Sequence, residues 1–119
     1  MNLSTNTLKI LDIDRSTLFS FMGGRGLGVK LLWDSVSPQT EAFAEENILV
    51  FAVGPLTSTL IPTTGRFSVV SKSPLTKGIF YSSCGGFFGF KLKNAGFDCI
   101  LVRGKSQKPV YLYIDNGSF

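Results

Sequence analysis

Apolar positions come in short blocks along this chain, and their spacing switches between the period of a strand and that of a helix. Residues 2–6 are polar and turn-like. Residues 7–13 then alternate, with Leu8, Ile10 and Leu11 facing in and Lys9 and Asp12 facing out, as the second arm of a hairpin would. Asp14 or Ser16 is placed to cap a short helix running to Met22, with Leu18, Phe19 and Met22 on its apolar side and Gly23-Gly24 as its stop. A second helix is expected over 27–36. Leu27, Leu31, Leu32 and Val36 share one face, Lys30 and Asp34 lie an i,i+4 step apart on the wetter side, and Ser37-Pro38 ends it.

The run 47–53 reads as a fully buried strand broken by Gly54-Pro55, and 56–64, rich in Thr, Ser and Pro, reads as a loop. Residues 67–71 and 79–82 predict two more strands around the Ser73-Pro74 turn. Gly85-Gly86 is expected to open a helix to Ala95, with Phe88, Leu92 and Ala95 inward, Lys91 and Lys93 outward, and Gly96 as its cap. Residues 98–103 and 110–115 predict a hairpin-like pair of strands, and Asn116-Gly117 a further turn. The order strand, helix pair, strands, helix, strands implies an α+β fold, a mixed or antiparallel sheet with a few short helices.

A chain of 119 residues, 44% hydrophobic, holds one core of ordinary domain size and not a multidomain enzyme. Its charged fraction of 17% is low and its mean hydropathy is +0.24, so part of the apolar surface is expected to meet other protein. The formal charge of +4 is spread rather than clustered. With no basic run, zinc-finger spacing or RNP-like aromatic motif, nucleic acid is not the expected partner. No apolar run approaches the roughly 20 residues of a membrane helix, and the first ten residues lack a secretory signal's basic and apolar regions, so a cytoplasmic protein without a membrane partner is expected. Histidine is absent, and Cys84 and Cys99 form no CxxC pair. Alone they build no zinc or iron–sulfur site, and the commonest general base is missing.

Polar chemistry concentrates where the flanks predict core, in TTGRFSVVSKSPLTKGIFYSSCGGFFG, residues 63–89. Arg66 sits beside an apolar strand, where a buried guanidinium would need an anion; from the residues alone, a salt bridge or a snorkelling surface arginine is the simpler account. Ser82-Ser83-Cys84-Gly85-Gly86 joins a strand end to an expected helix start, whose free amides and positive dipole suit a phosphate. Ser83 as a plain N-cap, with the glycines allowing close packing, fits the pattern equally well. Cys84 is a candidate reactive thiol at that helix start, and Cys99 a small core residue. Lys72 and Lys77 read as solvated turn residues, and Phe87, Phe88 and Phe90 as packing. Gly24-Arg25-Gly26-Leu27-Gly28 fails as a dinucleotide fingerprint, because Val29 stands where the third glycine belongs and a helix precedes it. A tight turn between helices is the favoured reading there, and an anion contact through Arg25 the lesser one. Nothing in the chain forms a catalytic pair by spacing.

Taken in order, the segments GGRGLGVKLLWD, FAVGPLTSTLIPTTGRFSVVSKSPLTKG, SSCGGFFGFKLKNAGFDCILVRGK and KPVYLYI resemble the N-terminal domain of the tungsten-containing aldehyde:ferredoxin oxidoreductases, over residues 2–114. The resemblance implies that residues 1–119 are part of an N-terminal base domain on which a bis-pterin tungsten cofactor, or its molybdenum relative, sits. It also implies that later helical domains, carrying the cysteines of a [4Fe-4S] cluster and the acid–base residues, lie outside this chain. By the same resemblance the family's pterin-contacting arginine falls on Arg66. Its pterin and magnesium contacts fall on Ser83 and Gly85, with Ser82, Cys84 and Gly86 as neighbours. The magnesium contact is a main-chain carbonyl at Ser83, where some relatives carry Asn. The implied activity is oxidation of aldehydes to carboxylic acids with ferredoxin as electron acceptor, with no catalytic residue in this chain. The implied partners are the remaining domains or a subunit, ferredoxin and the aldehyde, with homo-oligomerisation open. The alternative is a truncated, non-catalytic module that binds a pterin or a partner.

Overall fold

The run ILVFAV forms strand β1 (Ile48–Val53), and because it is apolar on both faces it takes an inner place in the sheet. The computed structural model describes residues 1–115; the turn expected at Asn116-Gly117 lies outside the described residues. Strand β2 (Phe67–Lys72) pairs with β1, and β3 (Ile79–Cys84) pairs with β2 in the register Phe67↔Cys84 to Lys72↔Ile79. Strand β4 (Cys99–Arg103) pairs with the other side of β1. All pairs are antiparallel and the order is β3-β2-β1-β4. One face carries Ile48, Val50, Ala52 and Val70 and is covered by α2 (Gly24–Ser35), whose Leu27 and Leu32 are buried. The other face carries Val53 and Phe67 and receives Leu92 from α3 (Phe88–Asn94). This is the expected α+β architecture, a sheet with a helix on each side.

Helix α2 begins at Gly24, so the glycine-rich segment read as a turn between helices is instead its first turn. One of these glycines has a packing role, Gly28 in the second turn. A Cβ there would stand 2.6 Å from Val70 Cγ2, and its absence lets the helix lie close on the sheet. Leu31 and Val36 pack beside Leu32 on the expected face, and Lys30 pairs with Asp34 at 2.8 Å. Helix α1 (Arg15–Phe21) is capped by Asp14, whose carboxylate accepts from the Ser16 hydroxyl at 2.5 Å and the Thr17 amide at 2.9 Å. These hydrogen bonds hold the Asp14 carboxyl well below the usual carboxylate range. Its expected apolar side is not buried: Phe19 is 82% exposed and Met22 67%. Helix α3 ends at Asn94, with Gly96 just past its Ala95 cap, close to the expected stop. The Gly96 amide donates to the Lys93 carbonyl at 3.0 Å and the Phe97 amide to the Leu92 carbonyl at 3.2 Å, while Phe97 and Leu92 share one apolar cluster.

Two expected strands do not form among the described residues. Asn2 and Thr7 exchange backbone hydrogen bonds of 2.8 and 3.1 Å, so the hairpin's turn closes, but residues 8–14 leave the ladder with Leu8, Ile10 and Leu11 exposed. Residues 110–114 make no strand with β4. One edge of β4 is taken by β1, and along the other the Leu3 amide donates to Arg103 and the Arg103 amide to Met1. Alternation survives there without pairing: Tyr111 and Tyr113 are exposed while Leu112 and Ile114 are half-buried. Period-two alternation reports which side of an extended chain meets apolar surface; a ladder also needs a free edge. Strand β1 departs from full burial at Leu49, because α3 packs at the opposite end of that face, on Val53. Leu60, Phe43 and Phe87 are also exposed, in keeping with an apolar surface that meets other protein. No helix among the described residues is long and apolar enough to cross a membrane.

Candidate functional site

Register brings the central candidates together. The β2–β3 ladder ends at Phe67↔Cys84, so Arg66 and Gly85 each lie one residue past it, and Gly65 and Gly86 two. A Cβ built on Gly65 would lie 3.7 Å from the Gly86 carbonyl oxygen, so the two segments do run side by side at this end of the sheet. The approach to Arg66 is anchored by Thr57, which is buried and donates its hydroxyl to the Thr64 carbonyl at 3.0 Å. It is further packed by Gly89 of α3, where a Cβ would stand 3.0 Å from the Gly65 carbonyl oxygen. Arg66 itself is exposed, and among the described residues no carboxylate pairs with it. Arg66 is neither buried nor salt-bridged; of the two simpler accounts the surface arginine is the one it fits, with its donors open to solvent or to a guest.

Opposite it, Cβ atoms built on Gly85 or Gly86 meet nothing within 4 Å, and Gly86 has φ +87°, a left-handed conformation that glycine adopts without strain. The turn is therefore an open cradle of main-chain groups. It is not a helix start. Helix α3 begins at Phe88, its N-cap Phe87 makes no side-chain bond, and Ser83 is a strand residue rather than a cap. Strand β3 extends to Cys84, further than expected, and this divides the neighbouring candidates. Tyr81 and Ser83 face the α2 side, because Tyr81 opposes Val70; Ser82 and Cys84 face the α3 side. Side chains of Ser82, Ser83 and Cys84 cannot all meet one guest, whereas their main chain borders the same cradle.

No three of His, Cys, Asp and Glu cluster as a metal site among the described residues. The arrangement instead suits a multiply charged anion held by a guanidinium and main-chain amides, with a cation reached through a carbonyl of the edge strand, where alternate carbonyls have no ladder partner. The apolar clefts lie elsewhere. One of about 490 Å³ is lined by Leu18, Met22, Leu27 and Val53, with Arg15, Lys93 and Asp98 also on its wall.

The two cysteines sit on opposite edge strands. Cys84 is exposed on β3, four residues ahead of α3, so no helix dipole acts on it as the expected helix start would have done. Cys99 is half-buried on β4 against the α2 face. Burial, and then the charge of Asp98, push the Cys99 thiol up to about 11 from 9.0. A raised value means the folded protein keeps this proton longer than the unfolded chain. The associated stability is complete below pH 9.0 and is lost as pH rises through about 11. Native Cys99 is accordingly expected to resist iodoacetamide at pH 8 and to react once the protein is unfolded in urea, as peptide mass spectrometry would show.

Arg25, expected in a tight turn between helices or, less favoured, as an anion contact, is instead in the first turn of α2. It donates from Nη1 to the Tyr81 hydroxyl at 2.7 Å, and its guanidinium carbon lies 4.7 Å from the centre of the Tyr81 ring. No periodicity or motif links these positions, which are 56 residues apart.

Fold and site together define an α+β domain with an open arginine and a glycine turn at one end of its sheet. The chain belongs to the aldehyde ferredoxin oxidoreductase family: residues 1–119 match the family described as aldehyde ferredoxin oxidoreductase, N-terminal domain. The tungsten-containing aldehyde ferredoxin oxidoreductase of Pyrococcus furiosus is 46% identical over 96% of this chain and 19% of its own length. The enzyme of the same name from Pyrococcus horikoshii is 44% identical over 98% of the chain and 19% of its own. An aliphatic sulfonate oxidoreductase subunit of P. furiosus is 39% identical over 98% and 19%. Among solved structures, the active-site complex of a benzoyl coenzyme A reductase with 1,5-dienoyl-CoA matches at TM-score 0.95 and 40% identity, over 98% of this chain and 18% of that one. The chain thus spans about a fifth of the length of these relatives.

Proposed function

We propose that this chain is the N-terminal, tungstopterin-binding portion of an oxidoreductase that converts aldehydes to carboxylic acids and passes the electrons to ferredoxin. The observation that supports the reading is that Arg66, without a carboxylate partner among the described residues, and the open Gly85-Gly86 turn both lie just past the same end of the β2–β3 ladder. Arg66 would hold pterin phosphate through two parallel N–H donors, the amides of Gly85 and Gly86 would add donors, and the Ser83 carbonyl would reach magnesium. The Ser82 and Cys84 side chains would border the α3 side of the same group. When bound, the cofactor supplies the two-electron and oxygen-transfer chemistry, and these residues hold and orient it. The [4Fe-4S] cluster and the acid–base residues belong to the rest of the protein.

An aldehyde is the favoured substrate because relatives at 44–46% identity bear that activity in their names, above the 39% of the sulfonate oxidoreductase subunit. The test is metal and pterin analysis of the full-length protein as isolated, followed by aldehyde-dependent reduction of ferredoxin. Tungsten, pterin and turnover are expected together. A protein without pterin would sink the reading, and pterin without turnover on any aldehyde would identify a non-catalytic binding module.

A further inference from the structure

We infer that Arg25 and Tyr81 form a latch that fixes the edge strand β3, and with it Ser83 and Gly85, where the cofactor needs them. The inference rests on the reading that Arg66 and the Gly85-Gly86 turn face the pterin. Among the described residues β3 is the least supported strand of the sheet: all six of its residues are exposed, and its one ladder is with β2. Such an edge frays or slips unless side chains pin it. The Arg25–Tyr81 contact combines a hydrogen bond from a charged donor with a cation stacked on a ring, two interactions that hold position as well as add stability.

Helix geometry explains why the latch reaches. Gly28 lets α2 touch Val70 of β2, and Arg25 lies one helical turn earlier. From there its side chain crosses to β3 and meets Tyr81, the cross-strand partner of that same Val70. Tyr81 and Ser83 share a face two residues apart, about 7 Å. The pin therefore lies two residues along the strand from the proposed magnesium contact. Arg25 has no carboxylate partner among the described residues, so its contact with Tyr81 has no competing ion pair.

The test uses the full-length protein with Arg25→Ala, Tyr81→Ala, the double variant, Tyr81→Phe and Arg25→Lys. Two quantities are read: amide hydrogen exchange over residues 79–84, and pterin retained after gel filtration. Each alanine variant is expected to speed exchange about three- to tenfold and to lower pterin retention in parallel, with the double variant no worse than either single. Tyr81→Phe, which keeps the ring, should fall between wild type and Tyr81→Ala. Arg25→Lys should not rescue, because an ammonium cannot reproduce the stacked planar donor. Additive losses, unchanged exchange, or quickened exchange with full pterin retention would each overturn the latch. Lysine rescue of pterin content would overturn it too, by showing a direct charge contact. Failure of the underlying reading would appear separately, as full pterin retention in Arg66→Ala while β3 exchange still responds to Arg25.

Discussion

Replacing Arg66 by alanine in the full-length protein is expected to lower tungsten and pterin content together, while leaving folding nearly untouched. The two halves of that result follow from one fact, that Arg66 is exposed and has no carboxylate partner among the described residues. An exposed residue with no internal partner contributes little to stability, usually within about 0.5 kcal/mol, so a fall in cofactor content would not be a folding defect. A charge-assisted contact to phosphate is worth about 1.5–3 kcal/mol, which corresponds to roughly ten- to hundredfold weaker retention. Arg66→Lys keeps the charge but loses the planar fork, so an intermediate loss is expected. Tungsten by mass spectrometry and pterin by fluorescence after oxidation are the measurements, with thermal unfolding as the control. Unchanged content of both in Arg66→Ala would remove the arginine from the site.

How far this could be read in advance depended on whether the physics was local. Helix α2 was legible because Leu27, Leu31, Leu32 and Val36 repeat with the helical period. Its early start was missed because its glycines look like a turn until the close contact with Val70 is seen. Strands β1, β2 and β4 were legible as apolar runs between Gly and Pro signals. Residues 7–13 and 110–115 carry the same alternation, yet pairing depends on which edges of β4 are free, and that is a property of the assembled sheet. That Arg66 and Gly85 belong to one site was read from the polar residues of 63–89 and from family motifs, since periodicity does not encode the β2–β3 register. Splitting Ser83 from Ser82 and Cys84 needed only period-two logic, but the strand had been expected to stop at Ser82. The Arg25–Tyr81 contact had no local signal at all.

Filling the space at Gly28 is expected to damage the fold more than any exposed substitution discussed above. In Gly28→Ala the new Cβ would lie 2.6 Å from Val70 Cγ2 and 3.1 Å from Val70 Cβ, and Val70 is fully buried with no room to turn away. Alanine favours a helix interior by about 0.8–1.0 kcal/mol over glycine, which opposes the clash. Overpacking costs about 1–3 kcal/mol, so a net loss of up to about 2 kcal/mol is expected. Gly28→Val forfeits much of that helix gain and adds two more methyl groups, and a loss of about 3 kcal/mol is expected. Thermal unfolding of the full-length protein and soluble yield are the readouts; an unchanged melting temperature in Gly28→Val would show that α2 does not lie where described. The sharper check is the pair Gly28→Ala with Val70→Ala. If the contact is direct, shrinking Val70 makes room for the added methyl, and the double variant should lose less stability than the two single losses summed. Because Arg25 reaches Tyr81 only while α2 lies close on the sheet, that double variant should also recover slow exchange in β3, whereas Gly28→Ala alone should not.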